Sequence, residues 1–202
     1  MYKRTWGYFL LTMLVVTGLA GRHHSETFSG KERRELINEL KSSRTQILKS
    51  IEHLNNIQLR YKDQKGASIH KHMEELVSTE GILWQKMQEA INQNHQTEIT
   101  SQTNQEWLSN KYFASDVSQA LLKQSTYKIA STQFSTIIDQ FKIQENNLLR
   151  YLRTSTDDVH HHFVKTPAGT LNVYQLLTVD LACMQYYLQA IEKIKRNKNF
   201  PR

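Results

Sequence analysis

No proline occurs in this 202-residue chain before Pro167, and Pro201 is the only other one. Proline removes a backbone donor and clashes with the preceding helical turn, so a run this long without it leaves helices free to form over most of the sequence. The apolar residues take up that freedom at steps of three and four. Ser29-Gly30-Lys31-Glu32 has the spacing of a capping box, and after it Leu36, Ile37, Leu40, Ile47, Leu48, Ile51 and Leu54 predict helix one over 29–56. Ser68 opens a second stretch, reaching about Gln93, in which Ile69, Met73, Leu76, Val77, Trp84, Met87 and Ile91 share a face.

Residues 94–110 are rich in Asn, Gln, Thr and Ser and predict a polar loop, followed by a short capped turn around "SDVSQALLKQ". A third helix is predicted from Thr132 to about Arg153 on Phe134, Ile137, Ile138, Phe141, Leu148 and Leu152. The fourth runs from about Leu171 to Asn197, after a linker that holds Pro167 and Gly169. No strand-period stretch stands out. Four amphipathic segments, each with one stripe to bury, predict an all-α four-helix bundle over residues 31–201. The long stretch between helices two and three allows a crossover connection.

The N-terminus has a different design. Lys3 and Arg4 precede a run without charge from Thr5 to Gly21, and Gly18-Leu19-Ala20 offers small residues for cleavage. Such a run is shorter than the ~20 residues of a spanning helix. We expect a signal peptide over 1–20, a linker over 21–30 and an exported product, periplasmic or in the cell envelope. The competing reading is an uncleaved anchor. Cleavage after Ala20 lowers the formal charge from +7 to +5, with 24 Lys and Arg against 19 Asp and Glu. Cations alternate with acids, as in Lys31-Glu32-Arg33-Arg34-Glu35, so no phosphate-binding stripe forms and we expect no nucleic-acid partner. Cys183 is the only cysteine, which rules out an intrachain disulfide.

Two stretches carry a resemblance. "LNNIQLRYKDQKGASIHKHMEELVSTE", residues 54–80, and "GTLNVYQLL" with "DLACMQYYLQAIEKIK" near the end are similar to the DinB/YfiT-like family. There, a Trp-Ser-Ile start leads into a helix carrying a histidine and a later glutamate, and the closing helix carries His-x-x-x-His. The resemblance implies a four-helix bundle that holds zinc or nickel on three histidines, with thiol transferases and metal-dependent hydrolases among its members. It also implies a homodimer. Carried over by position, the three ligands fall on Glu75, Cys183 and Tyr187, all substituted, while Ser68, Ile69 and Glu80 are kept and Ala67 replaces the tryptophan.

Carboxylate and thiolate are ordinary zinc ligands, but a tyrosine must release a proton of pKa ~10, a cost neutral imidazole never meets. We therefore expect a packed interior with no metal cofactor at these positions. The enzyme alternative is a thiol transferase or hydrolase using the substituted Glu75, Cys183 and Tyr187 set with zinc or nickel. As a nucleophile, Cys183 lacks a histidine within a turn, and Asp180 would raise its pKa. Glu80, on the apolar stripe between Leu76 and Trp84, is either a buried carboxylate or a charge paired at the bundle edge. Adjacent His160, His161 and His162 point in different directions and read as a solvated linker. A small hydrophobic ligand could lie between the helices.

These readings make the chain an exported bundle with a binding or structural role, and no membrane span once the leader is removed. N-terminal sequencing of the exported protein should find a chain beginning near Gly21. A chain that still begins at Met1 and sediments with membranes would refute the leader.

Overall fold

The computed structural model describes residues 28–64, 66–93 and 113–202. The expected leader, most of the linker after it and the polar stretch of residues 94–110 lie outside the described residues. Helix α1 spans Gly30–Ile51, and its Ser29 to Glu32 capping box forms in both directions, at 3.1 and 2.9 Å. Helix one was expected to reach residue 56. Instead His53 turns to φ 65°, and a separate short helix, α2, follows over Asn56–Arg60. Helix α3 covers Ile69–Asn92 with Ser68 as its cap, close to the predicted range.

The segment predicted as a capped turn is a three-turn helix, α4, over Phe113–Gln124. Val117, Ser118 and Leu121 recur on one buried face, which a short turn could not supply. Helix α5 is Phe134–Thr154 and helix α6 is Val173–Lys195. The linker before α6 contains an antiparallel hairpin that the sequence reading missed: β1, Phe163–Thr166, pairs with β2, Gly169–Asn172, in the register Phe163 opposite Asn172. Its turn holds Pro167, and Gly169 has φ 106°.

Helices α1, α3, α5 and α6 form the bundle, with α3 and α6 as the most extensive pair, and α4 lies against both of these. The core between them includes Leu40, Ile47, Met73, Leu76, Phe141 and Leu176, each buried. Burying a side chain of this size contributes about 1.5–3 kcal/mol. Helix ends are tied across the bundle. Arg33 donates to the carbonyls of Leu152 and Ser155, which close α5, and Lys195 donates to the Ser50 carbonyl at 2.7 Å. Among the described residues, no helix is long and apolar enough to cross a membrane.

Gly81, midway along α3, is where Tyr127 crosses the helix, and a Cβ at this position would fall within the phenol ring. The Tyr127 hydroxyl accepts from Gln140 and Gln144 at 2.8 and 3.0 Å, so the ring has little room to retreat. Gly81→Ala should therefore destabilise the protein by about 1–3 kcal/mol in chemical denaturation, despite alanine's better helix propensity. The double change with Tyr127→Ala should remove most of that additional penalty.

Candidate functional site

The seam between α3 and α6 carries two polar groups of residues within an otherwise apolar interior. At the first, Tyr187 is 1% exposed, and its hydroxyl lies 2.6 Å from Ser118 Oγ, which lies 2.7 Å from Thr79 Oγ1. Thr79 is tied in turn to the Glu75 carbonyl at 2.8 Å. Burial raises the Tyr187 phenol well above its ordinary value, against a smaller opposing effect of the Ser118 bond. Cys183 is fully buried and its Sγ is 3.6 Å from the Ala114 carbonyl. Burial pushes its thiol up, and the Asp180 and Glu80 carboxyls push it further.

The Glu75 side chain lies at the rim rather than in the core, 3.6 Å from His72 Nδ1 and 4.0 Å from Lys71 Nζ. The His72 ring packs 5.9 Å from that of Tyr187. Helix α4 supplies both Ser118 and the Ala114 carbonyl, so it closes over Tyr187 and Cys183. A thiol and a phenol that hold their protons, with a carboxylate turned to the rim, do not suit zinc or nickel. Among the described residues, no three His, Cys, Asp or Glu side chains are arranged to hold a metal ion.

The second group is made of carboxyls. Glu80 from α3, Glu145 from α5 and Asp180 from α6 are 5%, 1% and 2% exposed, and all three line one cavity of about 40 Å³. Both Glu80 oxygens, Glu145 Oε2 and Asp180 Oδ1 are buried without a hydrogen-bond partner. Burial is the first cause of the raised pKa of each. Glu80 is also pushed up by Glu145 and Asp180; Glu145 rises to about 9 under the influence of Asp180, with Arg44 opposing; Asp180 rises to about 7. Of the two readings of Glu80, the buried carboxylate is the one observed. Nothing in the sequence singled out Glu145, because the α5 stripe reads the same whether that turn faces solvent or core.

The three adjacent histidines are not a solvated linker. His161 Nδ1 lies 2.9 Å from Asp158 Oδ2, His162 Nδ1 is 3.1 Å from the Ala90 carbonyl, and His160 packs against Tyr174 with ring centres 5.1 Å apart. All three are partly buried, in the segment that leads into β1.

No family model and no curated protein matches this sequence. Among solved structures the chain is similar to YfiT from Bacillus subtilis, with a TM-score of 0.61 over 91% of this chain and 97% of that one, at 12% identity. YfiT is described as a probable metal-dependent hydrolase with an unusual four-helix bundle topology. At that identity the likeness establishes the fold, in agreement with the resemblance read from residues 54–80 and from α6.

Glu145 is expected to give a pH signature. Asp180 acts on it as a further acid and Arg44 as the opposing cation, and Glu145 in turn raises Glu80. The folded chain holds a proton on Glu145 up to about pH 9 that the unfolded chain releases near 4.5. Unfolding therefore releases protons, and stability falls as pH rises through that window. Thermal melts from pH 5 to about 10 should show Glu145→Gln gaining on the wild type steadily with pH and levelling off above about 9. A constant difference would mean that the carboxyl is ionised in the folded state throughout.

Proposed function

We propose that this chain is an exported protein of the DinB/YfiT-like fold that acts by binding, with the family's metal position converted into a hydrogen-bonded part of the core. The observation that carries this reading is the run from Tyr187 through Ser118 to Thr79, at 2.6 and 2.7 Å. A buried phenol that already has a hydroxyl partner loses that bond if it turns to a metal, and must also give up its proton. The charged region near the N-terminus followed by an uncharged run supports export.

A metal-dependent hydrolase or thiol transferase is the second reading, and the likeness to YfiT is what favours it. It would require Tyr187 and Cys183 to ionise in surroundings that raise both pKa values. No step of such a reaction follows from the groups present.

Elemental analysis of untagged protein separates the two readings. The binding reading expects less than about 0.1 equivalent of zinc or nickel after purification. The triple variant Glu75→His, Cys183→His, Tyr187→His should take up close to one equivalent and melt at a higher temperature with metal than without. Stoichiometric metal in the wild type would establish the enzyme reading instead. A folded triple variant that binds none would show that positions 75, 183 and 187 do not correspond to the family's ligands.

A further inference from the structure

The end of the bundle where α1 and α6 finish is built from two parts of the chain that lie far apart in sequence. Lys195, in the last turn of α6, donates to the carbonyl of Ser50 in the last turn of α1 at 2.7 Å. Beyond α6 the chain folds back on α2. Gln58 Nε2 donates to the Pro201 carbonyl at 3.2 Å, and the Phe200 ring meets that of Tyr61 edge-on with centres 5.6 Å apart. Residues 196–202 therefore share one surface with residues 49–63.

That surface is cationic. Residues 49–63 and 192–202 hold eight Lys and Arg against three Asp and Glu. Residues 21–202 together hold 24 against 19, so this one end has a surplus equal to that of the whole, and the rest of the chain balances. Seven of the eight are exposed: Lys49, Arg60 and Lys62 from the first part, and Lys193, Arg196, Lys198 and Arg202 from the second. Among the described residues none of these seven has a carboxylate within ion-pair reach, whereas Lys31, Lys71, Lys86 and Lys142 elsewhere on the bundle each do. The eighth, Lys195, is bound to Glu192 at 2.9 Å. Lys49 and Lys193 complement the C-terminal ends of long helices, but Lys62, Lys198 and Arg202 stand outside every helix and have no such use.

An apolar side chain stands among these cations. Helix α2 buries Leu59 and turns Ile57, two residues earlier and so on its opposite side, outward at 72% exposure. One exposed isoleucine is ordinary. This one has Arg60 three residues on, along the same side of the helix, and is next to Gln58, which holds the folded-back tail that carries Lys198 and Arg202.

We propose that this end of the bundle docks on an anionic phospholipid surface, its seven free cations lying over the headgroup phosphates and Ile57 entering the boundary between headgroups and acyl chains. Each cation close to such a surface strengthens partitioning about fivefold. An aliphatic side chain adds to this only where there is an apolar layer to enter, so the isoleucine decides between partners. A nucleic-acid backbone offers it nothing, and Tyr61 and Phe200 are half-buried against one another rather than open to a stacking base. The contact is peripheral, since among the described residues no helix is long and apolar enough to cross a membrane. It goes beyond the binding role proposed above and does not depend on whether the α3–α6 seam holds a metal.

The test is titration of the purified chain with vesicles of phosphatidylcholine, alone or with about one-third phosphatidylglycerol, read by co-sedimentation. Every arm has the same N-terminus, so its contribution drops out of the ratios between arms. Partitioning should be about a hundredfold stronger into the anionic vesicles and should weaken as salt is raised. Arg60→Gln, Lys62→Gln, Lys198→Gln and Arg202→Gln combined should remove most of that gain. The same change in net charge elsewhere, through Lys31→Gln, Lys41→Gln, Lys142→Gln and Arg150→Gln, should cost less than about fivefold. Ile57→Ser should weaken binding to anionic vesicles about threefold and leave binding to soluble polyglutamate unaltered. The docking face is refuted if the two vesicle types bind alike, if the two sets of four changes cost the same, or if Ile57→Ser has no effect. Tighter binding to a short DNA duplex than to the vesicles, lost with the first set of changes, would overturn it in favour of a nucleic acid.

Discussion

Helix α3 meets helix α6 along a single stripe, and nearly everything distinctive about this protein follows from that contact. From α3 come Ile69, Met73, Leu76, Val77 and Leu83, and from α6 come Leu176, Val179, Met184, Tyr187 and Ile191, all essentially without solvent exposure. The remaining bundle helices, α1 and α5, complete the enclosure. In an interior this dry, each polar side chain must find a partner, stay uncharged or acquire one from outside. Thr79 and Tyr187 take the first course, whereas Glu80 and Asp180 are limited to the other two.

The two outcomes depend on which helix covers the seam. At Tyr187 the cover is α4, whose Ser118 hydroxyl can both donate and accept, so it joins two hydroxyls into one run. At Glu80 the cover is α5, which contributes a further acid, Glu145, in place of a donor. The same bundle thus places a self-satisfied region beside a group of buried acids, two of which, Asp180 and Glu80, act on the Cys183 thiol. Such a thiol is a poor nucleophile, because the carboxyls beside it disfavour the thiolate.

Much of the fold was legible because long helices with one apolar stripe announce themselves by period and caps. Ser29 and Ser68 mark the starts of α1 and α3 as they were read from sequence. The hairpin was missed because its two strands are four residues each, too short for an alternation to register, and their pairing depends on the turn at Pro167 and Gly169. Helix α4 was underestimated because its buried face is completed by Ser118, which a hydropathy pattern counts as polar. For the site, Cys183 could be placed inside from its position on an apolar stripe, whereas Glu80, on the stripe of α3, was left between a buried carboxylate and a charge paired at the bundle edge. Ser118 and Glu145 could not, since the burial of each depends on which distant helix lies over it, and local spacing does not encode that.

The hairpin also governs how α6 is aimed. Asn172 pairs with Phe163 as the last residue of β2, and it caps α6 by accepting from Gln175 N at 2.8 Å while its own side chain donates to the His160 carbonyl at 3.3 Å. The strand ladder and the first helical turn therefore share one residue, with no slack between them. A helix advances about 100° per residue, so sliding β2 by one residue against a fixed strand β1 would not lengthen a loop but would turn the whole of α6 like a key. Cys183, Tyr187 and Asp180 would sweep away from the seam together. A length change across Gly169–Asn172 would thus reach the core at a distance, because it would carry the buried stripe of α6 off the seam while leaving every side chain of that helix unchanged.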